Sequence, residues 1–223
     1  MKHKVSETQS VLNVWAIVVI IWSAYRSYFR TELPIWFDEF IAKPAIFILP
    51  IHFYLTHIKK ESFLKALDFR SNKNISDILI GISIGVVFVV VAVLTFLSRN
   101  DFSLSKLVGE FSYSWLLLYF GISIASSISE EVVSRGFILK WLYSESKNIF
   151  SSVFFASLLF FFLHIPILFT NPSLRGNLLF QIMISDFILS FAVSFIFLAR
   201  KNLIIPIVIH ALYNFSLYLM FFN

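Results

Sequence analysis

The sequence predicts an all-α protein, a polytopic transmembrane helical bundle of about seven spans. Three observations lead there. Of the 223 residues, 58% are hydrophobic and only 14% charged, against about 45–50% and about 25% in an ordinary soluble domain. Mean hydropathy is +0.83. The apolar residues gather into runs near the roughly 20 residues a helix needs to cross a bilayer, separated by short hydrophilic stretches. The 28 Phe and the low charge exclude disorder, collagen and coiled coil. With no Cys, a disulfide framework, a thiol nucleophile and a Cys-ligated metal are excluded as well.

The first run is Val11–Tyr28. Lys2 and Lys4 precede it as in a signal peptide, but Tyr25, Arg26 and Tyr28 stand where a small-residue cleavage site would be. The second, Trp36–His57, holds Pro44 and Pro50, which membrane helices tolerate. Asp77–Leu97 is the third. The fourth starts at Tyr113 and continues past Glu130 through Trp141 and Leu142, with a turn in Ser144–Asn148. Phe150–Thr170, Leu178–Ala199 and Leu203–Phe222 complete the set, and Ser62–Asn74 reads as a short amphipathic surface helix. Residues 1–62 hold the N-terminal spans and are not diagnostic; 63–223 form the expected core.

The net charge of +5 is read as topology, with no nucleic-acid partner expected. Alternating the spans puts 12 Lys and Arg on the side of the N-terminus and 6, including Arg26 and Lys43, on the other. That bias predicts a multi-pass cell-membrane protein with a cytoplasmic N-terminus.

Ionisable groups inside apolar runs are costly and mark function by default. Here they are Glu130, Glu131 and Arg135 in the fourth run, His164 in the fifth, Asp186 in the sixth, and His210 with Asn214 in the last. At 1.5 Å per residue, Glu130, His164 and Asn214 lie about 20 Å from the same end, and His210 about 14 Å. Glu131 and Arg135 are i, i+4 and can pair, which leaves Glu130 rotated about 100° toward the interior. Asp186 has no partner of matching type nearby in the sequence and reads as packing or a supporting contact. His52 and His57 read as interfacial, and Trp15, Trp22, Trp36 and Trp115 as anchors and packing.

A carboxylate, two imidazoles and an amide at one depth suit amide hydrolysis. Glu130 could take a proton from water and return it to the leaving amine. His164 could orient that water, while His210 and Asn214 could donate to the oxyanion. A zinc site with Glu130, His164 and His210 as ligands is the rival chemistry, although no H-E-x-x-H motif is present. The residues alone do not choose between them.

Glu130-Glu131-x-x-x-Arg135, Phe160-x-x-x-His164 and His210-x-x-x-Asn214 resemble the three ordered motifs of the CPBP intramembrane protease family, which includes type II CaaX prenyl endopeptidases and bacteriocin-processing and immunity proteins. The similarity extends over about Phe63–Phe215. It implies an endopeptidase with a polar cavity open to the cytoplasm, acting on a membrane-associated protein or peptide. It makes Glu130 the catalytic carboxylate, with Glu131 and Arg135 supporting, His164 at the water, and His210 and Asn214 at the oxyanion. The family has been called metal-dependent; the carboxylate route needs no cofactor, and none is expected. Lys201-Asn202 departs from the small residue or Gly usual in the family's last turn. The Phe-, Ile-, Lys-, Asn- and Ser-rich composition suits a bacterial member, for which a prenylated protein is not the expected substrate. Two other readings compete. A non-catalytic scaffold or immunity protein partnering a sensor kinase would not need all these polar residues. A transporter using Glu130, His164 and Asp186 as a relay would show repeats and broken helices.

Overall fold

Every apolar run in the sequence forms helix. The computed structural model describes residues 6–29, 33–69, 74–99, 103, 112–170 and 176–221, and among these no strand occurs. The helices are α1 (Glu7–Phe29), α2 (Ile35–Ile58), a single turn α3 (Phe63–Ala66), α4 (Asn74–Arg99), α5 (Tyr113–Ser146), α6 (Ile149–Thr170), α7 (Gly176–Arg200) and α8 (Ile204–Phe221). Six of them, all but α3 and α8, are long and apolar enough to cross a membrane. The 18 residues of α8 reach about 27 Å, close to the hydrocarbon thickness of roughly 30 Å. A polytopic helical bundle is therefore the architecture.

Boundaries follow local chemistry. Ser6 caps α1, its side chain accepting from Gln9 N, so the helix starts four residues before the apolar run. Ser112 caps α5 in the same way, through Trp115 N. The α5 helix does run past Glu130, and it ends at Lys147, which takes a left-handed φ of 55°. Asn148 then opens α6 by accepting from Ser151 N.

One end of the bundle is tied together by polar contacts. Lys59 meets Glu7 at 2.6 Å, and Thr8 N donates to Glu145 at 2.6 Å. Arg200 and Asn202 both hold the buried Asp77, each at 2.6 Å. The unusual Asn202 of the last turn thus fastens α8 to the start of α4. The expected amphipathic helix over Ser62–Asn74 is not formed: only Phe63–Ala66 is helical, and 70–73 lie outside the described residues. The physical reason is docking onto protein. Lys140 donates to Ala66 O and pairs with Asp68, Leu203 N donates to Asp68 O, and Leu67 is buried against Gly136.

The core is centred on α5. Its stretch Val132–Leu139 is π-helical and buried on every side, as expected of a helix surrounded by others. Val11, Val14, Val18 and Trp22 of α1 pack toward it with Phe47 and Ile51 of α2. Trp22, expected among the anchors and packing residues, is 1% exposed and belongs to this core. On the far side, α4 lays Gly81 and Gly85 against Val208 and Leu212 of α8, at distances only a residue without Cβ permits. Its other face presents Ile78, Leu79, Ile82, Val86, Val87, Val90 and Val91 outward, suited to lipid. Arg26 and Lys43 are buried and paired with carboxylates, so they are not loop charges. Lys2, Lys4, Arg30, Arg70, Lys73, Lys106 and Arg175 of the charge count lie outside the described residues.

Candidate active site

Glu130 sits on α5 in a row of small polar residues, Ser123, Ser126, Ser127, Ser129 and Ser134, all buried. Small side chains let neighbouring helices approach closely. Two groups hold Oε1 of Glu130: Ser126 donates at 3.0 Å and Lys43 Nζ at 2.9 Å. Oε2 accepts no hydrogen bond and is shielded from the exterior. It faces His210 Nε2 at 3.4 Å and His164 Nε2 at 3.6 Å. Carboxylate and imidazoles therefore meet across three helices, α5, α6 and α8.

Each imidazole is oriented from behind. His164 Nδ1 is 3.1 Å from the Phe160 carbonyl, an acceptor only, so that nitrogen carries the proton. His210 Nδ1 donates to Glu131 Oε1 at 2.7 Å. The same Glu131 oxygen accepts from Arg135 Nη1 at 2.6 Å, the i, i+4 pair the spacing suggested. Glu131 and Arg135 are 0% and 1% exposed. An ion pair this deep is costly unless well partnered; His210 adds a second contact at Oε1, while Glu131 Oε2 accepts and Arg135 Nε donates no hydrogen bond. The Phe160 ring is shared: Arg135 lies over it at 4.9 Å, His164 against it at 4.7 Å and His210 at 5.7 Å. Phe160 thus holds three polar side chains in one arrangement.

Asn214 lies one turn beyond His210 on α8 and is half-buried. Its amide donates to Ser127 Oγ at 3.3 Å. Asp186, without a partner by sequence spacing, accepts from Tyr213 Oη at 2.7 Å, and Tyr213 also meets Ser185 at 2.6 Å. His52 and His57 stand near the end of α2, against Phe63 and Phe53 respectively.

Sequence reasoning missed one member. Lys43 of α2 reaches Glu130 from 87 residues away, although it had been counted among the orientation charges. The signal was available: Lys43 is itself an ionisable group inside the second apolar run, with Glu39 four residues before it.

The arrangement brings Glu130 Oε2 against two imidazole nitrogens, where a proton can be taken up or released at that oxygen. Among the described residues, no group of three His, Cys, Asp or Glu side chains is disposed to hold a metal ion. The ammonium of Lys43 already places a positive charge on Glu130.

Residues 112–216, from the cap of α5 into α8, match the family model described as Type II CAAX prenyl endopeptidase Rce1-like. No curated protein and no solved structure matches the chain.

Proposed function

We propose, from the match of residues 112–216 to the model described as Type II CAAX prenyl endopeptidase Rce1-like and from the geometry of the site, that the protein is an intramembrane endopeptidase that cleaves a membrane-associated protein or peptide with a water activated by Glu130. The observation that carries this reading is Glu130 Oε2, buried, without a hydrogen bond, and facing Nε2 of both His164 and His210.

In this mechanism water sits at Oε2, oriented by His164. Its oxygen attacks the scissile carbonyl carbon while Glu130 takes one of its protons. Asn214 donates to the oxyanion, and His210 does so through Nε2 in its doubly protonated form, an effect worth roughly 3–4 kcal/mol per donor. The tetrahedral intermediate then collapses, the C–N bond breaks, and Glu130 passes its proton to the leaving nitrogen. Glu131 and Arg135 keep His210 oriented. No metal enters any step. The charge bias supports a cytoplasmic N-terminus, the composition a bacterial membrane, and the family resemblance a site reached from the cytoplasm.

The test compares new N-termini in membranes of cells producing the wild-type chain or Glu130→Gln. Termini present only with the wild type are expected. Identical sets would remove the basis for assigning a peptidase.

A further inference from the structure

We propose that α2, which lies outside the family-matched segment, supplies two positioning residues to this site, Lys43 and Glu39. The proposal rests on the reading of Glu130 as the base. Lys43 is buried, its side chain 4% exposed, and a lone ammonium at that depth is expensive. It donates to Ser126 Oγ at 2.7 Å and Glu130 Oε1 at 2.9 Å, and its charge is paired with Glu39 Oε2 at 2.6 Å. The Trp22 ring lies 5.8 Å away. An ammonium has three protons to donate, so Lys43 is engaged by the protein itself.

Its effect is on the carboxylate. Lys43 and Ser126 together fix Oε1, which sets the rotation of the group and directs Oε2 at the two imidazoles. Without them the carboxylate can turn, and the oxygen that must accept the proton is no longer held at the water.

Glu39 follows from the charge balance. In each turnover Glu130 is anionic, becomes neutral when it takes the water's proton, and is anionic again once the leaving nitrogen has received it. A lysine paired only with Glu130 would be left as an uncompensated buried cation in the middle of every cycle. Glu39, one helical turn before Lys43, remains anionic throughout and keeps that ammonium paired. The second helix is thus part of the working site.

The test uses the full-length protein in lipid nanodiscs. Its substrate is an internally quenched peptide made from a terminus that only wild-type membranes produce. Lys43→Met should lower kcat by about 10- to 100-fold, the size expected when a reacting group moves by about 1 Å, with KM within about twofold. Lys43→Arg should recover most of the loss. Removing Lys43 alone leaves two buried carboxylates facing each other and can prevent folding, so the double variant Glu39→Gln/Lys43→Met is measured too. It deletes both charges of the α2 pair, should melt near the wild-type temperature, and should keep the kcat defect. Wild-type kcat in the double variant would overturn the proposal. If wild-type membranes yield no such terminus, or if Glu130→Gln also turns over normally, the underlying reading fails instead.

Discussion

Gly85→Ala tests how α8 is held. A Cβ at Gly85 would lie 2.8 Å from Leu212 Cβ and 2.5 Å from its Cδ1. Carbon atoms rest at about 3.5–4.0 Å. The Cδ1 methyl can swing aside, but Leu212 Cβ is fixed to the α8 backbone, so the two helices must part by about 0.7 Å or more. Gly81, one turn earlier on the same face, is equally close: a Cβ added there would lie 2.8 Å from Val208 Cβ. Overpacking of this kind costs about 1–3 kcal/mol, offset in part by the roughly 0.8–1 kcal/mol that Ala gains over Gly in a helix. His210 lies between Val208 and Leu212 on α8, so its 2.7 Å bond to Glu131 moves with the seam. Melting of the detergent-solubilised protein should fall by roughly 2–8 °C, and peptide turnover by about 10- to 100-fold. Gly121→Ala is the control: its Cβ meets Phe40 Cζ at 3.5 Å, an ordinary contact. It should leave both readouts near wild type. Unchanged melting and turnover in Gly85→Ala, or equal damage in Gly121→Ala, would refute the reasoning.

Other outcomes follow from the site and the topology. Asn214→Ala should lower kcat by roughly 10²–10³ with KM little changed, as expected for a bond that strengthens as the oxyanion forms; a pure KM effect would remove Asn214 from that role. Exhaustive chelation should leave turnover intact, whereas activity lost to a chelator and restored by Zn²⁺ would make Glu130, His164 and His210 ligands. Single cysteines are easily placed, since the chain has none. Thiol labels at positions 60 and 147 should react from the cytoplasm, and reaction from outside at both would invert the orientation.

Much of this was legible in the sequence because membrane helices declare themselves by length. The seven apolar runs fall on α1, α2 and α4–α8. The depth count matched Glu130 with His164 but chose Asn214 as their partner on α8 and left His210 about 6 Å shallower; in the structure His210 is the one that faces Glu130, while Asn214 bonds Ser127. What escaped depends on partners far away in the chain. The Gly81–Gly85 pair is visible in the sequence, but its seam with α8 is not. Tyr213 reaches Asp186 from 27 positions away on another helix. The strap after α3 has an amphipathic pattern, yet it is held by Lys140 and Leu203, which no local rule connects to it. The π-helical stretch after Glu131 holds no proline, and its Ser134 and Gly136 signal a turn or close packing as readily as a π-helix. Lys43 was hidden for a different reason: a positive charge near a helix end reads equally as a topology signal and as a buried partner.

Turnover of purified Glu130→Gln in nanodiscs tests the central claim most directly. The substitution keeps the size of the side chain and can still accept from Lys43 and Ser126, but it cannot take the water's proton. The account predicts a fall in kcat of about 10²–10⁴, the usual contribution of general base catalysis, in a protein that still melts near the wild-type temperature. A folded Glu130→Gln variant that turns over within tenfold of wild type would contradict it.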